Sequence, residues 1–192
     1  MPNVLKESAR GIECIRLDDE LFNSRTIFLT EPVDVQTSAE LIKQLMHLEH
    51  EDNKSEITLY INSPGGEVIS GLAVYDYISA MKAPVRTVCI GTAASMGAIL
   101  FLAGDKRQML PHTRLMIHDP SYGHHDIGGR KSHEIQHELD KLNEARESLA
   151  RIIANKTGKS IRTIYKLTAN DTYYSAEEAV AFGLATEILR EV

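Results

Sequence analysis

Ser95 lies in the run Thr92-Ala93-Ala94-Ser95-Met96-Gly97, where small neighbours leave its hydroxyl open to a substrate. A serine hydroxyl is a weak nucleophile until a base takes its proton, and acyl transfer also needs donors for the oxyanion that develops on the substrate carbonyl. A helix starting near Ser95 would aim its first unpaired N–H groups at the point of attack. The N–H of Met96 is one candidate donor, and that of Gly66, in the turn Pro64-Gly65-Gly66, is a second. Taken alone, a serine in such a place also fits an N-cap or a packing role, and Ser95 is not in a G-x-S-x-G elbow.

The base for such a serine is a histidine, whose two ring nitrogens can face the nucleophile and an orienting acid at once. Of the eight histidines, His47, His50, His133 and His137 fall in solvated helical patterns, and His124 and His125 in a glycine-rich loop. His118 ends the apolar run Leu115-Met116-Ile117, a rigid place at the end of a strand. A metal site at His118, Asp119, His124 and His125 is the alternative, but it has neither an H-E-x-x-H pair nor a cysteine cluster beside it. For the orienting acid, Asp171 before Tyr173-Tyr174 could be partly buried by aromatic packing, and Asp119 is its rival. A carboxylate one residue from the base shares its backbone and is badly placed to reach the far ring nitrogen, so Asp171 is preferred.

The elements that must hold these residues follow from periodicity. A short buried strand is expected at 27–29, after a polar and irregular stretch over the first 25 residues. Thr37 and Glu40 suggest a capping box ahead of a helix with Leu41, Ile42, Leu45, Met46 and Leu48 on one face. The β-branched run 57–61 reads as a parallel strand, followed by a turn at 62–66 and a helix from Val68. The cycle repeats as a strand at 85–90, a small-residue turn at 91–95 and a helix at 96–103 closed by Gly104. Two such crossovers predict α/β layering around a mainly parallel sheet. Leu110 and 115–117 add short strands, and 132–156 forms a long amphipathic helix that either covers the chain's own sheet or packs on another subunit. A short helix over 160–167, a second capping box at Ser175 and Glu178, a helix stop at Gly183 and a strand over 184–189 complete the chain.

Composition narrows the function classes. A chain of 192 residues suits a single domain. Its net charge of -6 and lack of a long basic block argue against nucleic acid as a partner. The longest apolar run, 93–103, is interrupted by Ser95 and Gly97 and falls short of the roughly 20 residues that span a bilayer. Residues 1–11 carry no signal-type apolar core, so a cytoplasmic location is expected. Cys14 and Cys89 are expected to be reduced thiols, buried or half-buried.

From about Leu17 onward the chain resembles the ClpP-type proteolytic subunits of Clp proteases. The resemblance is carried by Tyr60-Ile61-Asn62-Ser63-Pro64-Gly65-Gly66, by the segment 91–97, by Met116-Ile117-His118, by Ser175-Ala176-Glu177-Glu178-Ala179 and by Phe182-Gly183-Leu184. It implies a ClpP/crotonase-type fold over 1–192, with Ser95 as nucleophile, His118 as base, Asp171 as orienting acid and the amides of Gly66 and Met96 as oxyanion hole. It further implies homo-heptameric rings stacked as a tetradecamer, or rings mixed with another ClpP-type subunit. Segment 132–156 would be the handle between rings, and 1–18 would line the axial pore. Tyr60 and Leu189 would help receive a hexameric AAA+ Clp ATPase unfoldase that delivers unfolded polypeptides. No cofactor is implied, and the chain has no Gly-Lys-Ser/Thr phosphate motif of its own.

Other readings are a catalytically silent subunit of a mixed Clp complex and a crotonase-like acyl-CoA hydratase or isomerase. The chain departs from the family pattern in four places. Asp119-Pro120-Ser121-Tyr122-Gly123 follows the base where Gln-Pro-Leu-Gly-Gly is usual. The stretch near 124–130 is longer, that near 104–107 is shorter, and Asn170 replaces an arginine before the acid.

Overall fold

The computed structural model describes residues 2–8, 11–122 and 129–191. The chain begins with a hairpin of β1 (Asn3–Ser8) and β2 (Gly11–Arg16), paired antiparallel from Asn3↔Arg16 to Ser8↔Gly11, and continues into α1 (Leu17–Asn23). This corrects the expected irregular stretch. The hairpin has scarcely a buried side chain, so no apolar face marks it in the sequence: Leu5 and Ile12 are both exposed. Cys14 on β2 is likewise exposed, against expectation, while Cys89 is buried.

The remaining elements are β3 (Thr26–Leu29), α2 (Val35–Glu51), β4 (Ile57–Ser63), α3 (Val68–Ala80), β5 (Val85–Ala94), α4 (Met96–Ala103), β6 (Lys106–Met109) and β7 (Arg114–Ile117). They are followed by α5 (Ser132–Thr157), α6 (Ile161–Thr168), β8 (Thr172–Tyr174), α7 (Ala176–Phe182) and β9 (Glu187–Ile188). The result is a mixed α/β fold on a seven-stranded sheet with the path β3-β4-β5-β6-β9, parallel throughout. β7 joins β5 in parallel, and β8 joins β7 antiparallel.

β5 is the pivot. Its first half, Arg86–Cys89, pairs with Lys106–Met109 of β6, and its second half, Thr92–Ala94, pairs with Arg114–Met116 of β7. The run 91–94, expected to be a turn, is therefore strand. Glycine, threonine and alanine give no apolar alternation, so the pairing there is set by backbone and by the side chain of Asn62, whose Oδ1 accepts the Thr92 N–H at 3.0 Å.

β6 also differs from expectation, occupying 106–109 and ending before Leu110. Its polar residues hid it: Arg107 Nε donates to the Leu184 carbonyl at 2.8 Å and Gln108 Nε2 to Glu187 Oε1 at 2.7 Å. β9 is shorter than expected because the N–H groups of Leu184 and Ala185 still bond back to the Ala179 carbonyl at the end of α7.

The starts of α2, α7 and α4 each have a local cause. α2 opens one turn before the expected Thr37–Glu40 box: Asp34 is the cap, Thr37 N–H donates to its Oδ1 at 2.8 Å, and Asp34 N–H donates to Thr37 Oγ1 at 2.9 Å. Glu40 instead accepts from Gln36 Nε2 at 3.1 Å. The Ser175–Glu178 box heads α7 as expected, and Gly183 ends it with φ 96°. α4 is apolar on every side and all eight of its residues are buried, packed against β5, α3 and α5, so its start is fixed in the centre of the core.

The stripe on α5 divides along its length. Leu149, Ala150 and Ile153 are buried in the core, so the C-terminal part of the helix covers the chain's own sheet, whereas Ile135 and Leu139 stay exposed. No helix among the described residues is long and apolar enough to cross a membrane.

Candidate active site

Four elements converge at the carboxyl ends of β5 and β7. Ser95 is the single residue between β5 and α4, and its backbone adopts φ 53°, ψ -121°. A left-handed φ costs a non-glycine residue of order 1–3 kcal/mol and persists only where the surroundings over-determine it. Here they do. The Ser95 N–H is held by the Met116 carbonyl at 2.9 Å, extending the β5–β7 ladder, and the Ser95 carbonyl accepts the N–H groups of Ala98 and Ile99 as the first bonds of α4. The chain must reverse from strand into helix in one residue, which drives the side chain outward as in a nucleophile elbow, without that motif's sequence.

His118 follows directly on β7, beside the Met116 that anchors Ser95. Its Nε2 lies 2.9 Å from Ser95 Oγ, and its Nδ1 lies 3.0 Å from Asp171 Oδ1. An ionised carboxylate can only accept, so with the ring neutral the proton sits on Nδ1 and donates to Asp171, leaving Nε2 to accept the Ser95 hydroxyl proton. The three residues expected to act together are thus in one hydrogen-bonded line, drawn from the ends of β5, β7 and α6.

Asp171 departs from expectation in its surroundings. Its side chain is 58% exposed, because Tyr173 points to solvent and Tyr174 packs inward against Phe182, so neither ring covers the carboxylate. Alternation along β8 accounts for this. The rival acid, Asp119, is engaged elsewhere: its Oδ2 lies 2.7 Å from Arg146 Nε on α5. Among the described residues no group of three or more His, Cys, Asp or Glu is placed to hold a metal ion, and His124 and His125 lie outside those residues.

Gly66 forms an isolated parallel bridge with Val33, in which Val33 N–H donates to the Gly65 carbonyl at 2.9 Å and Glu67 N–H to the Val33 carbonyl at 2.7 Å. With its two neighbours bonded to Val33, Gly66 turns its own N–H to the opposite side, as alternate residues of a strand do. Gly66, Ser95 and His118 line one cleft, whose walls include Val68, Ile99, Met116, Leu149 and Ile153. The cleft walls are mostly apolar, with Ser95, His118 and Ser121 as polar side chains. Met96 opens α4, and its N–H is the first of that helix's unpaired amides.

Gly65 was not singled out from the sequence, yet it bears directly on the position of Ser95. It has φ 94°, and a Cβ there would stand 2.6 Å from the Ala94 carbonyl oxygen and 2.7 Å from Ser95 Cβ. Gly65→Ala must therefore push the Ser95 turn away. A displacement of about 1 Å costs roughly a hundredfold in rate, to be read as the rate constant for covalent capture of Ser95 by a fluorophosphonate. An unchanged rate would mean that the turn has slack that the geometry denies.

The two residues expected at a docking surface are not brought together within the subunit. Tyr60 on β4 is half-buried and stacks on Phe28 of β3 at 5.3 Å between ring centres, whereas Leu189 follows β9, with β5 and β6 between them in the sheet. Phe28, 44% exposed, extends the aromatic surface and was missed because a lone aromatic in a short strand reads as core.

The family model described as Clp protease matches residues 9–192, all but the first eight residues of the chain. The match runs through every segment that builds this cleft, and on it the chain belongs to the Clp protease family.

Proposed function

We propose that this chain is a serine endopeptidase subunit that cleaves unfolded polypeptides through Ser95, His118 and Asp171. The observation that carries the reading is the line of hydrogen bonds from Ser95 Oγ through both nitrogens of His118 to Asp171, opening on an apolar cleft. His118 takes the Ser95 proton as the hydroxyl attacks a peptide carbonyl. The N–H groups of Gly66 and Met96 donate to the oxyanion, and the start of α4 favours the negative charge. His118 then protonates the leaving amine and activates the water that releases the acyl group. The apolar walls fit an apolar side chain next to the cleaved bond.

The wider reading is a ClpP/crotonase-type fold assembled as paired heptameric rings, a tetradecamer of this chain or one mixed with a second ClpP-type subunit. The exposed Ile135 and Leu139 of α5 suit a handle that meets another ring, and the β1–β2 hairpin suits the wall of an axial pore. A hexameric AAA+ Clp ATPase would supply unfolded chains in the cytoplasm, docking at Phe28, Tyr60 and Leu189; a pocket using both Tyr60 and Leu189 needs adjacent subunits. Asn170 leaves ring pairing without the family's usual arginine at that position.

The test is treatment of the purified protein with a fluorophosphonate, alone and mixed with other ClpP-type subunits, followed by mass spectrometry. A single adduct on Ser95 is expected. No adduct in any assembly would make the chain a silent structural subunit.

A further inference from the structure

Resting on the peptidase reading above, we infer that Arg146 of α5, through Asp119, is a positioning residue that holds His118 in register with Asp171. The stretch after His118 is one of the places where this chain departs from the pattern of the family it resembles, and Asp119 is the first residue of that departure. Two contacts meet on it, and a third extends from its partner. Its carboxylate is paired with Arg146 Nε at 2.7 Å, off the line of the N–H, so the attraction is that of an ion pair more than of an aligned hydrogen bond. Its N–H donates to the carbonyl of Thr168, the last residue of α6, at 2.6 Å. The Arg146 guanidinium lies over the ring of Tyr165, also on α6, 4.6 Å from the ring centre.

α6 is the element that leads to Asp171. Asp119 and Arg146 therefore tie the residue after the base to the helix that delivers the acid, which fixes the distance between them from outside the hydrogen bond itself. Pro120 stiffens the connection, because a residue preceding proline is held to extended backbone and Asp119 cannot swing independently of His118. The same segment meets α5 once more, where Tyr122 Oη donates to the Glu138 carbonyl at 2.9 Å. Neither the Asp119 nor the Arg146 side chain is bonded to Ser95 or to the ring of His118, whose partners are Ser95 and Asp171, so their effect is on geometry. The Asp119 and Arg146 side chains are 28% and 36% exposed, sheltered enough for the loss of one charge to be felt by the other.

The experiment compares fluorophosphonate capture of Ser95 in Arg146→Met, Arg146→Lys, Asp119→Asn and the double variant Asp119→Asn/Arg146→Met, each at matched assembly size by mass photometry. Arg146→Met is expected to slow the maximal capture rate about tenfold to a hundredfold with half-saturation unchanged, since a displacement near 1 Å carries a cost of that order. Arg146→Lys should recover part of the loss, and the double variant should fall no further than the worse single one, as for two groups acting through one contact. Should Arg146→Met misassemble, Asp119→Asn, which keeps shape and volume, carries the test. Full-rate capture in Asp119→Asn or Arg146→Met, or losses that simply multiply, would overturn the inference while leaving Ser95 labelling intact. Absence of labelling in the unaltered protein would overturn the peptidase reading and this inference with it.

Discussion

Replacing Ser95 with alanine is expected to remove fluorophosphonate labelling and to cut hydrolysis of an unfolded polypeptide by roughly a millionfold, the scale seen when a triad nucleophile is deleted. The substitution takes away only the atom that accepts attack. Alanine at φ 53° is strained as serine is, the 95 N–H can still bond to Met116, and the helix start is unchanged, so assembly should persist. What remains would be binding and the oxyanion donors, which still act on water's own attack. Ser121 makes a control, because it lines the same cleft but has no histidine partner among the bonds of the site. Ser121→Ala should label at the normal rate. Labelling of Ser95→Ala at an undiminished rate would move the nucleophile to another residue and end the present reading.

How far the site could be read from sequence differed residue by residue, for physical reasons. His118 was legible because a histidine closing a short apolar strand has a fixed direction, and the chain offered no other of that kind. Ser95 was legible as a small-residue turn, but its left-handed backbone was not, because that angle is imposed by Met116 across the sheet and by Gly65 from another crossover. The same cause hid the second half of β5: its side chains are too small to show a period, and the β7 residues it pairs with, Arg114 to Met116, lie on a separate strand further along the chain. The hairpin at the start escaped for the opposite reason, since it buries almost nothing and has no need of an apolar face. Asp119 could be read as an oddity after the base. Its partner, Arg146, could not, because an arginine on a helix rich in charges carries no mark of which carboxylate it meets.

Asp171→Asn is expected to lower kcat about a thousandfold while leaving KM and thermal stability nearly unchanged, as an orienting acid requires. Asparagine fits the same space but carries no charge. If its NH2 faces the ring, Nδ1 must accept, the ring proton moves to Nε2, and Ser95 loses its acceptor. If its carbonyl oxygen faces the ring the tautomer survives, yet the imidazolium that forms on proton transfer is left without its counter-charge. Deleting a buried acid of this kind costs about ten-thousandfold. Asp171 is 58% exposed, so water screens its field and can partly replace it, which brings the expected loss down by about one power of ten. The exposure also explains why stability should not suffer: the side chain is more than half in solvent in the folded protein and gives up little on losing its charge. Measurement with a fluorogenic unfolded substrate decides the matter, with the hydrolysis rate resolved into kcat and KM. A loss smaller than that of Asp119→Asn would transfer the orienting role to Asp119, against the geometry that pairs Asp119 with Arg146 and Asp171 with His118.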